Sequence, residues 1–262
     1  MATKSANINV IEAAARKAAR GLVRDFGEIE QLQVSRKGPA DFVSNADLKA
    51  ERVLHRMLER ARPGHGFLME ERGAIAGSDS GRRWIVDPLD GTTNYLHGIP
   101  HFAISIALEE DGEIVAGAIY EPIRDEMFWA EKGRGAYLND RRIRVSGRAD
   151  LSEALIATGI PFKGIGNPET YLPSLAAVMP TVAGIRRFGS AALDLAYVAA
   201  GRYDGYWEFG LNPWDVAAGL ILVREAGGFV TEIGGRAYAL GAPHILAAND
   251  PLHGPLDKLL RS

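Results

Sequence analysis

The stretch WIVDPLDGTTNYLHG, residues 84–98, decides how the rest of this chain is interpreted. It begins with three apolar residues that are typical of a buried strand, which is predicted to end at Asp87. It then places Asp87 and Asp90 on either side of a proline and a leucine. Proline fixes φ and lacks an N–H group, so the turn is expected to point the Leu89 carbonyl away from any sheet. Two carboxylates and a carbonyl oxygen on one short turn are hard ligands of the kind that Mg²⁺ prefers.

The residues directly after this turn, Gly91-Thr92-Thr93, are able to begin a helix. A helix start exposes free backbone N–H groups and a partial positive charge, and glycine allows an anion to approach closely, so a phosphate could bind there. The same residue types are also common in plain surface turns, and Asp90 could simply cap a helix. On this stretch alone, an ion site and a surface turn are equally good interpretations.

Two further groups of acids stand beside apolar segments elsewhere in the chain. Glu70-Glu71 follow the short strand-like sequence GFLM, and Asp215 follows Pro213-Trp214 at the start of a nearly apolar helix. Taken singly, the glutamates are explained as solvated residues beyond a strand, and the aspartate as a first-turn residue that favours the helix dipole. Any of these acids that is buried must be protonated, paired or bound to a metal, because an unpaired buried carboxylate is strongly penalised.

The composition of the 262-residue chain excludes several classes of function. It contains no cysteine, so disulfides, thiolate metal sites and cysteine nucleophiles are excluded. The 30 basic and 33 acidic residues give a net charge of −3, which offers no electrostatic reason to bind nucleic acid or an acidic membrane. The N-terminus does not resemble a secretory signal, and no apolar run is long enough to span a bilayer. We expect a soluble, cytoplasmic protein.

The order of predicted elements indicates one compact unit over residues 1–262, built from layered helices and sheets. A polar segment at 35–47 precedes a helix that starts at residue 48, and Asp111-Gly112 predicts a hairpin. The first helix is predicted from apolar residues at helical spacing, which are Ile11, Ala15, Ala18, Leu22 and Phe26.

Helices and strands alternate from about residue 151, whereas the preceding segment is richer in antiparallel strands. The fold is therefore of the α+β class, and it could contain an α+β subdomain at 1–150 and an α/β subdomain at 151–262.

Three motifs taken together resemble the inositol monophosphatase family of magnesium-dependent, lithium-sensitive phosphomonoesterases. They are MEE at 69–71, DPLDGTTNYLHG at 87–98 and NPWDVAAGLILVREAGG at 212–228, and their order and gaps fit the family from about residue 8 to the C-terminus. Met69 stands where the family usually has glycine, and Glu70 fits the usual register of the acidic ligand. The resemblance implies the layered αβαβα sandwich of the sugar phosphatase fold, a homodimer, and phosphate ester hydrolysis by a metal-activated water.

The resemblance also implies roles for individual residues. Two Mg²⁺ ions, with a weak third reached from Glu70 through water, would share the ligands Glu70, Asp87, the Leu89 carbonyl, Asp90 and Asp215. Glu70 and a pair formed by Thr92 and Asp47 would serve catalysis, the pair by orienting the attacking water. Lys37 matches a basic position near the active site. The phosphate and the ring hydroxyls would be bound by Asp90, Gly91, Thr92, Gly189, Ser190, Ala191, Glu208 and Asp215.

Several other functions are alternatives to the hydrolysis of myo-inositol 1-phosphate. Relatives with this fold hydrolyse fructose 1,6-bisphosphate, histidinol phosphate, adenosine bisphosphate or NADP, whereas Glu208 and its spacing to Asp215 favour inositol phosphate. A regulatory protein that binds a macromolecular partner could use the same fold. Loss of a metal-binding acid would favour that function, but every acid of the motifs is present. A NAD-dependent dehydrogenase is disfavoured because the dinucleotide glycine motif is missing. Zinc at His97 and His101 is disfavoured because glycine and proline interrupt the helix that this spacing needs.

Overall fold

The computed structural model describes residues 3–28, 39–161 and 166–261, and for residues 39–44 it describes the backbone alone. Lys37, which was predicted to lie near the active site, falls outside these residues. The described helices are α1 (Ala6–Phe26), α2 (Pro39–Ala61), α3 (Thr92–Leu96), α4 (Pro168–Val178), α5 (Ala191–Ala199), α6 (Pro213–Glu225) and α7 (Asp250–Leu260), with a 3₁₀ turn at Leu151–Glu153. None of these helices is long and apolar enough to cross a membrane.

The first β-sheet is formed by the N-terminal half of the chain. Its strands are β1 (His65–Met69), β2 (Gly73–Ile75), β3 (Asp79–Asp90), β4 (Ala103–Glu110), β5 (Glu113–Glu121), β6 (Glu126–Glu131), β7 (Gly135–Leu138) and β8 (Arg141–Ile143). Their spatial order is β2-β1-β3-β4-β5-β6-β7-β8. The pair β1 and β3 is parallel, and the other neighbours are antiparallel.

The second sheet is formed by the C-terminal half. Its strands are β9 (Leu155–Thr158), β10 (Gly184–Arg186), β11 (Gly205–Phe209), β12 (Phe229–Thr231) and β13 (His244–Ala248), and their spatial order is β10-β9-β11-β13-β12. Strand β9 runs parallel to β10 and β11, whereas β13 is antiparallel to both of its neighbours. The predicted division at about residue 150 thus falls between the two sheets, although one unit with two subdomains stays a prediction.

The elements stack in five layers, which confirms the predicted αβαβα sandwich. Helices α1 and α2 cover the outer face of the first sheet, α5 and α6 lie between the sheets, and α4 and α7 cover the outer face of the second. Strand β3 shows how the sequence produces this arrangement, since successive side chains of a strand point to opposite faces. Trp84 and Val86 pack in the outer core under α1 and α2, and Ile85 packs in the central core against α6.

The predicted first helix and hairpin are both confirmed. Ile11, Ala15, Ala18 and Leu22 are buried on one face of α1, and Phe26 packs against the same core. The hairpin between β4 and β5 has positive φ angles at Asp111 (50°) and Gly112 (82°). Two positive φ angles match the right-handed twist of the flanking strands, which is why Asp-Gly favours such a turn.

Two predicted boundaries were wrong. Helix α2 begins at Pro39 rather than at residue 48, because proline is well tolerated in the first turn and Ala46 extends the buried stripe of the helix by one turn. Strand β3 does not end at Asp87 but continues to Asp90, which pairs with Ala103 after a register shift. The proline lies inside that shift, where the ladder is already interrupted and no N–H donor is needed.

Candidate active site

A cleft of about 410 Å³ opens where the ends of β1, β3 and β11 meet the starts of α3, α5 and α6. Strand ends and helix starts bring polar groups to one place, because their backbone groups are not used by a regular ladder. The cleft is lined by Asp47, Glu70, Glu71, Asp90, Gly91, Thr92, Thr93, Gly159, Arg187, Gly189, Ser190, Ala191, Glu208, Phe209, Gly210, Leu211, Asn212 and Asp215.

The turn at the end of β3 has the irregular backbone that its proline predicts. Asp87 Oδ1 accepts a hydrogen bond from the Leu89 N–H at 2.8 Å, and the Leu89 carbonyl accepts one from the Thr92 hydroxyl at 2.9 Å. Gly91 has a φ of 91°, and a Cβ there would stand 2.9 Å from the His101 carbonyl oxygen. Glycine is therefore required at this position by both its conformation and its surroundings.

Four acids from three separate elements approach one another at this turn. Burial, followed by repulsion from Glu70, Asp90 and Asp215, raises the pKa of Asp87 well above its ordinary value. Burial also raises the pKa of Glu70 to about 7, although a hydrogen bond with Asp87 opposes the change. Burial and then Asp90 raise the pKa of Asp215 to about 8. The structure thus places Asp215 beside acids that lie more than a hundred residues earlier in the chain.

Asp90 connects this turn to the start of α5. Its Oδ2 accepts hydrogen bonds from the Ser190 hydroxyl at 2.5 Å and from the Ala192 N–H at 2.8 Å. Burial raises the pKa of Asp90 to about 6, and the hydrogen bond from Ser190 opposes that increase. Ser190 is also the N-cap of α5, since its oxygen accepts from the Leu193 N–H. The Gly-Ser-Ala turn is therefore held against the acids by side-chain contacts.

The acids provide a donor set that fits a divalent cation. Crowded carboxylates in a partly buried site repel one another, and either protons or a cation can relieve that repulsion. Across the described ranges, no group of three or more His, Asp or Glu side chains is arranged to hold a metal ion as it stands. Each of three carboxylates already accepts a hydrogen bond. Asp87 accepts from the Leu89 N–H, Asp215 from the Asn212 N–H and Asp90 from the Ser190 hydroxyl. These carboxylates would have to turn towards a shared ion.

Asp47 and Thr92 line the same cleft from α2 and α3. Asp47 is 4% exposed, and its Oδ1 accepts no hydrogen bond from the described residues. Burial, then the charges of Glu70, Glu71 and Glu51, raise the pKa of Asp47 to about 8. The hydroxyl of Thr92 donates a hydrogen bond to the Leu89 carbonyl. The predicted joint action of Thr92 and Asp47 on a water stays a prediction.

Glu208 lines the other side of the cleft, at the end of β11. Burial raises its pKa to about 7, although a hydrogen bond from Tyr206 opposes the change. Glu208 faces the same cleft as Gly189, Ser190 and Ala191, so every residue that was predicted to bind substrate is present at one site. Their individual binding roles stay predictions.

The sequence did not single out Glu51, which holds the acidic pair after β1 in place. Glu51 is fully buried, and its Oε2 accepts a hydrogen bond from the Glu71 N–H at 2.9 Å. Arg72 Nε lies 3.2 Å from the other carboxylate oxygen. One signal was available, because Glu51 follows Asp47 by one helical turn and therefore lies on the same face of α2.

Other residues of the site gave a weaker signal or none. Arg187 lines the cleft, but Arg186-Arg187 are equally well explained from sequence as surface arginines. Gly159 also lines the cleft, and a glycine has no side chain whose chemistry could mark it. His97 is exposed whereas His101 is buried.

Comparison with known proteins gives a consistent result. The model of the inositol monophosphatase family matches residues 4–261. The inositol-1-monophosphatase of Mesorhizobium japonicum is 57% identical over 258 residues, which are 98% of this chain and 97% of that protein. The Nus factor SuhB of Pseudomonas aeruginosa is 46% identical over 246 residues, which are 92% of this chain and 91% of that protein.

A solved structure agrees in fold as well as in sequence. The native crystal structure of extragenic suppressor protein suhB from Bartonella henselae superposes with a TM-score of 0.92 at 58% identity, over 98% of this chain and 99% of that chain. A match of this extent covers both sheets and every element that contributes to the cleft. The chain therefore belongs to the inositol monophosphatase family.

Proposed function

We propose that this protein is a Mg²⁺-dependent phosphatase that hydrolyses a phosphate monoester, with myo-inositol 1-phosphate as its substrate. The observation that carries the proposal is the approach of Glu70, Asp87, Asp90 and Asp215 to one another, at a cleft that Glu208 and all of these acids except the buried Asp87 line. A relative with the name inositol-1-monophosphatase, at 57% identity over nearly the whole chain, supports the same substrate.

The acids of the cleft are the proposed metal ligands. Two Mg²⁺ ions, and a third held more weakly through water at Glu70, would bind to Glu70, Asp87, the Leu89 carbonyl, Asp90 and Asp215. When bound, Mg²⁺ would supply an activated water and neutralise charge on the phosphate and the leaving group. The hydrogen bond from the Thr92 hydroxyl to the Leu89 carbonyl holds that oxygen on the turn that carries Asp87 and Asp90.

Two oxygens of the chain are suited to orient the attacking water. The Thr92 hydroxyl donates a hydrogen bond to the Leu89 carbonyl, and its oxygen can still accept a hydrogen bond from a water. Asp47 Oδ1 is buried without a hydrogen-bond partner among the described residues, so it can accept a hydrogen bond from the second O–H of the same water. We assign this orienting role to the two residues together, with Glu70 as the third catalytic group.

The remaining residues of the cleft would hold the substrate. Gly91 and Thr92, where α3 begins, would bind the phosphate through backbone N–H groups. Asp90, Asp215 and Glu208, with the turn formed by Gly189, Ser190 and Ala191, would bind the ring hydroxyls. Carboxylates accept hydrogen bonds from hydroxyls, so this side of the cleft suits a polyol better than an apolar ester.

A panel of phosphate esters tests the proposal directly. Phosphate release should be fastest from myo-inositol 1-phosphate, should require Mg²⁺ and should stop in excess EDTA. Ca²⁺ should inhibit, because it is larger and tolerates looser geometry. Fructose 1,6-bisphosphate, histidinol phosphate and NADP serve as the competing substrates. Full activity in EDTA would refute the metal dependence, and a faster reaction with one of the competitors would reassign the substrate.

A regulatory role through a macromolecular partner is the second candidate. The observation that favours it is the 46% identity to a protein that bears the name Nus factor SuhB. An Asp215→Asn variant separates the two roles, since it removes a proposed metal ligand and leaves the outer surface unchanged. If the second candidate is correct, this variant should still complement a strain that lacks the chain, although its phosphatase activity is lost.

We also propose that the protein forms a homodimer, is inhibited by lithium and works in the cytoplasm. These proposals are supported by the family resemblance. Light scattering on the purified protein should give twice the mass of the 28.3 kDa chain. A mass of one chain at micromolar concentration would contradict the dimer, and turnover unaffected by millimolar lithium would contradict the inhibition.

A further inference from the structure

Tyr206 constrains the carboxylate of Glu208 from within its own strand. The two residues lie two positions apart on β11, so their side chains project from the same face of the sheet. The Tyr206 hydroxyl donates to Glu208 Oε2 at 2.5 Å, and Tyr206 is completely buried. Because the surrounding core holds the ring, the hydroxyl gives one carboxylate oxygen a fixed partner.

Gly159 constrains the same carboxylate from the neighbouring strand. Strand β9 runs parallel to β11 and pairs Thr158 with Trp207, so the next residues, Gly159 and Glu208, lie beside each other. A Cβ on Gly159 would stand 1.9 Å from Glu208 Cδ, 1.9 Å from Oε1 and 2.3 Å from Oε2. These are the three nearest atoms, so the carboxylate occupies the space that any side chain at this position would need.

The backbone of Gly159 does not explain its presence. Its φ is not among the positive values that other glycines of the described residues adopt. No left-handed backbone therefore excludes an alanine at this position, and the nearest obstacle to its Cβ would be the Glu208 carboxylate. Two independent features, a hydrogen bond and an absent side chain, thus place the Glu208 carboxylate at one position in the cleft.

We propose that Gly159 and Tyr206 are positioning residues that determine specificity by holding the Glu208 carboxylate as a fixed acceptor for the hydroxyls of a polyol phosphate. This inference rests on the proposed function, in which Glu208 contacts the hydroxyl-bearing part of the substrate. A site that is built to hydrogen-bond a substrate hydroxyl rejects analogues without it, because its own polar group is then left unpaired. A fixed carboxylate strengthens that effect, since less freedom is lost on binding.

The discriminating measurement is the ratio of kcat/KM for myo-inositol 1-phosphate to kcat/KM for p-nitrophenyl phosphate, which has no polyol. Tyr206→Phe should lower this ratio about 10-fold, the size expected for one hydrogen bond to a charged group. Gly159→Ala should lower it at least as much, because the carboxylate must move to another rotamer. In a Glu208→Ala background, neither substitution should lower the ratio further, since both act through that carboxylate.

Tyr203→Phe is the matched control for the hydroxyl. Tyr203 is also buried, at 4% exposure, and its hydroxyl has no hydrogen-bond partner among the described residues. Removal of this hydroxyl should leave the ratio within about twofold of the wild-type value, since no hydrogen bond is lost. A Tyr203→Phe effect as large as that of Tyr206→Phe would show that loss of any buried hydroxyl changes the ratio, and would overturn the proposal.

The results separate this proposal from the proposed function. If Glu208→Ala lowers the ratio but Tyr206→Phe and Gly159→Ala do not, the positioning role is overturned and the phosphatase assignment stands. If Glu208→Ala leaves the ratio unchanged, the specificity role is overturned. If the wild-type protein releases no phosphate from any ester, the proposed function fails. A crystal structure of Gly159→Ala then tests positioning directly, because the Glu208 carboxylate should lie beyond hydrogen-bond distance of the Tyr206 hydroxyl. An unmoved carboxylate would overturn the inference.

Discussion

Replacement of His101 by glutamine should remove a source of acid sensitivity from this fold. His101 is 8% exposed, its Nε2 has no hydrogen-bond partner among the described residues, and the rings of Phe188 and Tyr197 lie 5.3 and 6.1 Å away. Burial, followed by the positive charge of Arg124, lowers the pKa of His101 to about 4. The imidazole therefore stays neutral in the folded protein at pH values where it is protonated in the unfolded chain.

The size of the effect follows from proton linkage. The folded pKa of His101 is about 4, and an unfolded histidine has a pKa of about 6.5. The unfolded state therefore binds the extra proton as the pH falls through this range, and stability is lost between about pH 7 and pH 4. From pH 7.5 to pH 5 the loss from this one group reaches about 2 kcal/mol in the free energy of unfolding.

Urea unfolding of the metal-free protein at pH 7.5 and pH 5 measures this loss. Buried carboxylates with raised pKa values change stability in the opposite direction over the same range, so the wild-type difference must be compared with that of His101→Gln. The variant should lose about 2 kcal/mol less than the wild type on acidification. His97→Gln, which replaces an exposed histidine, is the control and should behave as the wild type. An equal pH effect in the wild type and His101→Gln would refute the reasoning.

Three further substitutions test other contacts. Asp215→Asn should lower phosphate release by about 100-fold or more, because it weakens a metal-ion contribution of several kcal/mol to the transition state. The amide oxygen can still accept the hydrogen bond from the Asn212 N–H, so the helix start should be kept. Turnover at the wild-type rate would show that Asp215 is not a metal ligand. Ser190→Ala should cost about 1–2 kcal/mol of unfolding free energy in urea, since the α5 cap and the bond to Asp90 are both lost; an unchanged midpoint would contradict this. Gly219→Ala should lower the free energy of unfolding in urea by about 1–3 kcal/mol, because the new Cβ would stand 2.4 Å from Leu195 Cδ1 on α5. Unaltered stability would contradict this and would show that α5 and α6 can move apart at no cost.

The main elements of the fold could be predicted from local patterns. The apolar spacing in α1, the Asp111-Gly112 hairpin and the start of α6 at Pro213 depend on neighbours within a few residues, and all appear in the structure. The start of α2 and the end of β3 were predicted wrongly, because both depend on contacts with distant segments. Ala46 belongs to the buried stripe of α2 through its packing in the core beside the first sheet, and β3 reaches Asp90 through its pairing with β4.

The chemistry of the candidate site could also be predicted in part. The motifs identify the acids, and hard oxygen ligands in that number indicate a divalent metal. Glu51 and Gly159 were not singled out: the only signal for Glu51 was its place one helical turn after Asp47, and Gly159 gave none. Glu51 on α2 accepts a hydrogen bond from the Glu71 N–H, 20 residues later in the chain, and Gly159 matters because Glu208 occupies the space next to it.

The sequence by itself thus determined which groups could take part, since residue type sets charge, hydrogen-bonding capacity and local backbone preference. Only the tertiary structure decided which of them meet: Ser190 and Asp90 share a hydrogen bond although they are 100 residues apart. The pairing of strands and the packing of helices between two sheets bring such residues together. Those long-range contacts also set burial, and burial is the largest cause of the raised pKa values of Glu70, Asp87 and Asp215.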